Sequence, residues 1–266
     1  MVEIVYQKRG HKGNNMELLF ITCASALAGF IDAIVGGGGL VLAPALFAAY
    51  PTAPAATMLG TNKSASIWGS ALAAHQYSRR VHLKRSVALP GALACLIGAG
   101  LGAWTLLYIP SDTLRSALPW VLAGVLVYTL ANKNLGQTHT PRYAGQAESW
   151  IAAAIGLIIG FYDGFFGPGT GSFFVFLLVR VLGYDFLTAS AHAKLFNTAT
   201  NLAAVTLLAY KGHVWWHITL YLMTANLIGS FLGTRLAIRH GASFVRWVFI
   251  AVVLALIAKL EYSALT

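Results

Sequence analysis

Apolar runs of roughly 17 to 25 residues recur along the whole chain, divided by short polar stretches, and that is the length a helix needs to cross a bilayer. The pattern predicts helices over about 17–35, 39–50, 55–77, 87–108 and 114–131. A polar connector follows, and a second set of helices is expected at about 149–166, 170–183, 186–209, 217–239 and 245–262. The second member of each set has only about a dozen residues, too few to cross alone. Whether these short members cross or re-enter stays open, so the chain has eight to ten hydrophobic segments. The expected fold is an all-α polytopic membrane protein. Its parts are a basic N-terminal tail (1–16), a first transmembrane repeat (17–131), a polar connector (132–148) and a second transmembrane repeat (149–266).

The two sets are copies of one unit of about 118 residues. A constant shift of 131 places Gly29, Phe30 and Asp32 on Gly160, Phe161 and Asp163, and Gly36 and Gly38 on Gly167 and Gly169. It also places Thr57 and Lys63 on Thr188 and Lys194, His82 on His213, Gly102 on Gly233 and Arg115 on Arg246. Matched Asp, Lys, His and Arg do not arise cheaply in so apolar a composition, and transporters are commonly built from such repeats. The loop at 79–85 is strongly basic in the first copy, whereas 235–246 carries the arginines in the second. The positive-inside rule then favours inverted repeats, with an odd number of crossings each. The basic tail (Lys8, Arg9, Lys12) argues for the alternative, parallel repeats of four crossings.

Composition agrees with a membrane protein: 58% of the 266 residues are hydrophobic and 10% charged, with a mean hydropathy of +0.69. The net charge of +10 is gathered in loop clusters, the signature of topology and not of nucleic-acid binding. Cys23 and Cys95 lie inside apolar segments, as small packing residues do. The first apolar run continues into Asp32 and GGGG without a cleavage pattern, so it reads as a retained helix. HExxH, CxxC, GxSxG and P-loop patterns are missing from the sequence. No enzymatic centre, metal site or cofactor is expected.

The candidate chemistry lies where each unit's first helix ends, in DAIVGGGGL (32–40) and DGFFGPGTG (163–171). Non-helical backbone at membrane depth is tolerated only when buried in protein or lining a wet cavity. Gly36, Gly37, Gly38 and Gly39, and Gly167, Gly169, Thr170 and Gly171, would break the helix and present backbone N–H groups at the start of the next one, an anion site. Close helix packing is the alternative role for such glycines. Lys63 and Lys194, each about eight residues into its helix, with Asn62 and Asn197 beside them, would bind the anion in a site that is positive before loading. Alternatively the lysines snorkel to headgroups or pair within their own repeat, Lys63 with Asp32 and Lys194 with Asp163. Residues 63, 66, 67 and 70, like 194, 197 and 201, share a helix face, and that face is polar. Asp32, Asp163 or His192 would carry a coupling proton or hold the broken backbone in place. His75, His82, His213 and His217 are expected at the interface, with Trp215, Trp216 and Tyr221.

AGFIDAIVGGGGL with GTNKSAS, and GFYDGFFGPGTGSF with ASAHAKLFNTATN, resemble the paired motifs of the TauE/SafE family of sulfite and organosulfonate permeases, close to its YfcA-like branch. The resemblance covers about residues 17 to 262. It implies a secondary transporter for sulfite, sulfonates or related small anions, including carboxylates, in a bacterial inner membrane. It does not imply one compound or one direction. An anion channel with the lysines as a selectivity ring, or a membrane scaffold without transport, are the other readings. The expected partners are a small anionic substrate and the lipid bilayer, with a coupling proton and a homodimer left open.

Overall fold

A computed structural model describes residues 15–131 and 139–265. The basic tail with Lys8, Arg9 and Lys12, and residues 132–138 of the connector, lie outside the described residues. The described chain is helical: α1 Asn15–Val35, α2 Gly39–Ala49, α3 Ala55–Ser78, α4 Arg85–Leu106, α5 Ser111–Ala131, α6 Gly145–Phe165, α7 Thr170–Arg180, α8 Phe186–Tyr210 and α9 Trp216–Leu265. These match the hydropathy pattern closely. The one fusion is at the end, where the expected helices 217–239 and 245–262 run on as α9 with a non-helical backbone at Gly241. By length and composition, α1, α4 and α6 can each cross a membrane.

The short helices α2 and α7 do not carry the chain onward. After α7 the chain comes back to where α6 began: the Tyr184 hydroxyl donates to Glu148 Oε1 at 2.5 Å. After α2 it likewise returns, and Tyr50 feels the carboxylate of Glu17 in the first turn of α1. Each unit therefore opens with a re-entrant hairpin (α1–α2 and α6–α7) whose broken tip lies deep in the molecule. An 11-residue helix rises only about 16 Å, which suits a half-depth return.

The hairpins start from opposite ends. At one end, which we call the Glu17 end, Tyr50 meets Trp215 edge to face, Thr57 Oγ1 is 3.0 Å from His213 Nδ1 and Trp215 N–H donates to Thr61 Oγ1 at 3.0 Å. At the other, the Glu148 end, Lys84 reaches Glu148, and Tyr77, Val81, Leu83, Ala237 and Ile238 gather around the tip of α1.

The units clasp one another rather than packing as two bodies. α1 lies on α9 and α6 on α4, with α3 and α8 crossing between them. Contacts come in pairs related by the shift of 131. A Cβ added to Gly98 would sit 2.3 Å from Leu157 O, and one added to Gly229 would sit 1.9 Å from Ala26 O. The helices approach to backbone contact at both matched places, which small residues permit in membranes. Ser70 and Asn201, themselves a matched pair, meet at 3.3 Å where α3 and α8 cross.

Candidate functional site

The first helix of each unit stops at its glycines, and the two tips meet. Gly36 adopts φ +80, where a side chain is strained, and a Cβ there would fall 2.2 Å from the Gly171 carbonyl carbon. Ser172 N–H donates to Gly36 O at 3.2 Å, and its hydroxyl donates to Val35 O at 2.7 Å. On the other side of the contact a Cβ on Gly39 would lie 3.2 Å from Pro168 Cα. The starts of α2 and α7 are thus pressed together, and a carbonyl of the opposite hairpin occupies an N–H at the start of α7. Gly37, Gly38, Gly167, Gly169 and Thr170 complete the two tips. Gly169 supplies a left-handed turn (φ 84) before α7, and Gly38 N–H points at Asp32 Oδ1 from 3.4 Å.

Lys63 and Lys194 arrive at these tips from α3 and α8, each on the helix of the other unit. Lys63 Nζ is 2.8 Å from Asp163 Oδ1 and Lys194 Nζ is 2.9 Å from Asp32 Oδ2. Lys194 also donates to the Asp32 carbonyl, which accepts from Gly36 N–H at 2.8 Å as well. Pairing within a repeat, Lys63 with Asp32 and Lys194 with Asp163, is not what forms. Because the units clasp, each lysine sits closer to its neighbour's break than to its own. The expectation of a positive empty site is corrected for the same reason: each ammonium already holds a carboxylate.

The lysine side chains are 3% and 1% exposed, Asp163 6% and Asp32 20%. Asp32 is the more open carboxylate of the two. Asn197 lies against the tip of the second hairpin, its Nδ2 2.7 Å from where a Gly171 Cβ would be. The Oδ1 atoms of Asn62 and Asn197 and the Oδ2 of Asp163 are buried without a hydrogen-bond partner among the described residues. Buried polar atoms are normally satisfied, so the Asp163 and Asn197 oxygens each have room for a further donor.

His192 does not join the ion pairs. Its Nδ1 is 2.9 Å from Thr188 O, and its ring packs against Tyr184 and Phe196, two residues and therefore over half a turn away from the face of Lys194.

A second polar cluster escaped the sequence reading. Glu148 is 1% exposed and is held by Lys84 and Tyr184. Next to it His139 Nδ1 is 2.8 Å from Asp185 Oδ2, and His139 stacks on Tyr184. Asp185 caps α8, accepting from Thr188 N–H at 2.9 Å. Burial pushes its carboxyl pKa up, but the Thr188 hydrogen bonds and the His139 ring outweigh that and leave it below the usual value. The signal available in the sequence was that Glu148 stands 131 positions after Glu17.

No group of three or more potential metal ligands occurs among the described residues. Known proteins bear on what remains. The chain is 35% identical over 243 residues to "Probable membrane transporter protein ORF9" of Sinorhizobium sp., covering 91% of this chain and 92% of that one. It is 35% identical over 239 residues to "Probable membrane transporter protein YfcA" of Escherichia coli K12, covering 90% and 87%. A "Probable membrane transporter protein" of Haemophilus influenzae is 33% identical over 249 residues, covering 92% and 94%. No solved structure matches the chain. The family profile described as "Sulfite exporter TauE/SafE" matches residues 21–260, a span that contains both hairpin tips and both ion pairs. This integral membrane protein, a transporter and not an enzyme, belongs to the TauE/SafE family.

Proposed function

We propose that the protein is a secondary transporter for small oxyanions, sulfite and organosulfonates first among them, working by alternating access between two inverted repeats. The observation that carries this reading is the pair of buried ammonium groups, each held at the broken backbone of the opposite hairpin. Buried ion pairs add little stability over a well-packed apolar pair, so four charges kept at the repeat interface call for a use. Small oxyanions offer what the site lacks. They accept from the lysine ammonium groups, and a water carried in with them can donate to the Asn197 and Asp163 oxygens.

The hairpins start from opposite ends, so the two units enter the membrane with opposite orientation, the arrangement that lets one unit's conformation exchange with the other's. Arg79, Arg80, Lys84, Arg85, Arg142, Arg180, Arg235 and Arg239 all belong to the Glu148 end, against Arg115 and Lys211 at the Glu17 end. This balance supports a cytoplasmic Glu148 end, against the tail residues Lys8, Arg9 and Lys12 that precede α1 in the sequence. The test is counterflow in vesicles holding the purified protein. Saturable exchange of labelled sulfite or a sulfonate, lost in Lys63→Ala and in Lys194→Ala, supports the reading. Large unitary currents instead would make the protein a channel, and neither exchange nor current would make it a scaffold.

A further inference from the structure

We infer that transport is electroneutral anion–proton symport, in which a proton neutralises Asp32 or Asp163 each time an anion takes that carboxylate's place on Lys194 or Lys63. The inference rests on the anion-transport reading above and adds the coupling partner.

Both ammonium groups are already occupied, and both lie out of water. An anion that docks on Lys194 comes against the Asp32 carboxylate, and one on Lys63 against Asp163, so it either displaces that carboxylate or sits beside a second buried negative charge. A displaced carboxylate that stayed charged would be an unpaired buried anion beside a second one, the arrangement most strongly disfavoured in a protein interior. Protonation removes the conflict. The empty half-site holds an ammonium and a carboxylate; the loaded one holds an ammonium, a carboxylic acid and an anion. Its net charge is zero in both states for a monovalent anion, and a divalent anion spanning both lysines takes two protons.

Among the described residues no other carboxylate or imidazole is recorded against either pair. Asp32 is faced by Lys194 from α8, by Gly38 N–H on its own hairpin and by Tyr77 from α3, whose hydroxyl already donates to Ala33 O. Asp163 is faced by Lys63 from α3, by Cys95 from α4 and by Tyr162 on its own helix, whose hydroxyl donates to Pro168 O. The unpartnered Asp163 Oδ2 is an oxygen on which a proton can sit. His192, turned toward Tyr184 and Phe196, faces neither pair. Asp32 is 20% exposed and Asp163 6%, so Asp32 is the more accessible carboxylate.

Methanesulfonate is the probe, because it does not itself titrate near neutral pH. In detergent, the methanesulfonate concentration that protects the protein from thermal unfolding should fall about tenfold for each pH unit lowered, the linkage of one proton per anion. In vesicles with a lumenal pH dye, inward methanesulfonate flux should acidify the lumen and should not respond to an imposed membrane potential. Asp32→Asn with Asp163→Asn should flatten the pH slope of methanesulfonate protection and abolish lumenal acidification, whatever rate of counterflow it retains. Intact counterflow with a flat pH slope, or with no acidification, overturns the symport inference and leaves transport standing. Absence of both protection and counterflow overturns transport and symport together. If the double variant does not fold, the two wild-type measurements decide alone.

Discussion

Cross-repeat pairing can be tested by a double-mutant cycle on Lys63 and Asp163. Both side chains are at most 6% exposed, so solvent screening does little to weaken the pair. Lys63→Met leaves the Asp163 carboxylate buried and alone, and Asp163→Leu does the same to the Lys63 ammonium. Removing one partner of a buried pair destabilises by about 3–5 kcal/mol, whereas replacing both by apolar groups of similar volume is often neutral or stabilising. The two single variants should therefore each lose about 3 kcal/mol or more, the double variant should lie near the wild type, and the coupling energy should exceed about 2 kcal/mol. At roughly 2–4 °C per kcal/mol for a chain of this size, the singles should melt about 6–12 °C lower. Equilibrium unfolding of the purified protein in mixed micelles, followed by tryptophan fluorescence, gives all four corners of the cycle. A parallel cycle of Lys63→Met with Asp32→Leu should show much weaker coupling than the Lys63–Asp163 cycle. Coupling between Lys63 and Asp32, with none between Lys63 and Asp163, would refute the clasped arrangement. The stabilised double variant should still be inactive in counterflow, which separates what the charges do for folding from what they do for transport.

Further outcomes follow from other places in the fold. Gly36→Ala meets both a left-handed backbone (φ +80) and the Gly171 backbone at 2.2 Å; the backbone term alone is about 1–2 kcal/mol, and counterflow should fall sharply, whereas Gly100→Ala, with open space around it, should transport normally. Asp185→Ala removes the cap of α8 and should lower stability near pH 7 by about 0.5–2 kcal/mol. The native Asp185 carboxyl titrates below its unfolded value, so this contribution is fully present above the unfolded pKa and is lost as pH falls through the native one; wild type and variant should converge in stability in acid, and divergence there would contradict the assignment. Orientation is read by thiol labelling in a Cys23→Ser background. Lys211→Cys should react with an impermeant maleimide applied outside intact cells and Arg80→Cys should react only after permeabilisation; the reverse would place the Glu148 end outside.

Much of this was legible along the chain. Runs of apolar residues have to become helices in a bilayer, because no other local structure satisfies every backbone group there, and so the helix limits follow from hydropathy to within a few residues. The shift of 131 made Asp32, Asp163, Lys63 and Lys194 visible as matched pairs, because a charge inside an apolar run is rare enough to stand out. Glu148, Tyr184 and Lys84 were not legible as a cluster. They come from the starts of two helices and a loop, and polar residues at helix ends look like ordinary interface.

Sequence alone therefore determined the helices, the duplication and which side chains carry charge into the membrane. Only the tertiary structure decided that the short helices turn back, that the hairpins start from opposite ends and that each lysine serves the other unit's aspartate. It also decided that His192 faces away from both pairs. The physical reason is that hydropathy and repeat matching describe each unit in isolation. Partner choice is set by how two units interlock, and α1 lying on α9 with α6 on α4 brings Lys194 to Asp32 and Lys63 to Asp163 across 162 and 100 residues of chain.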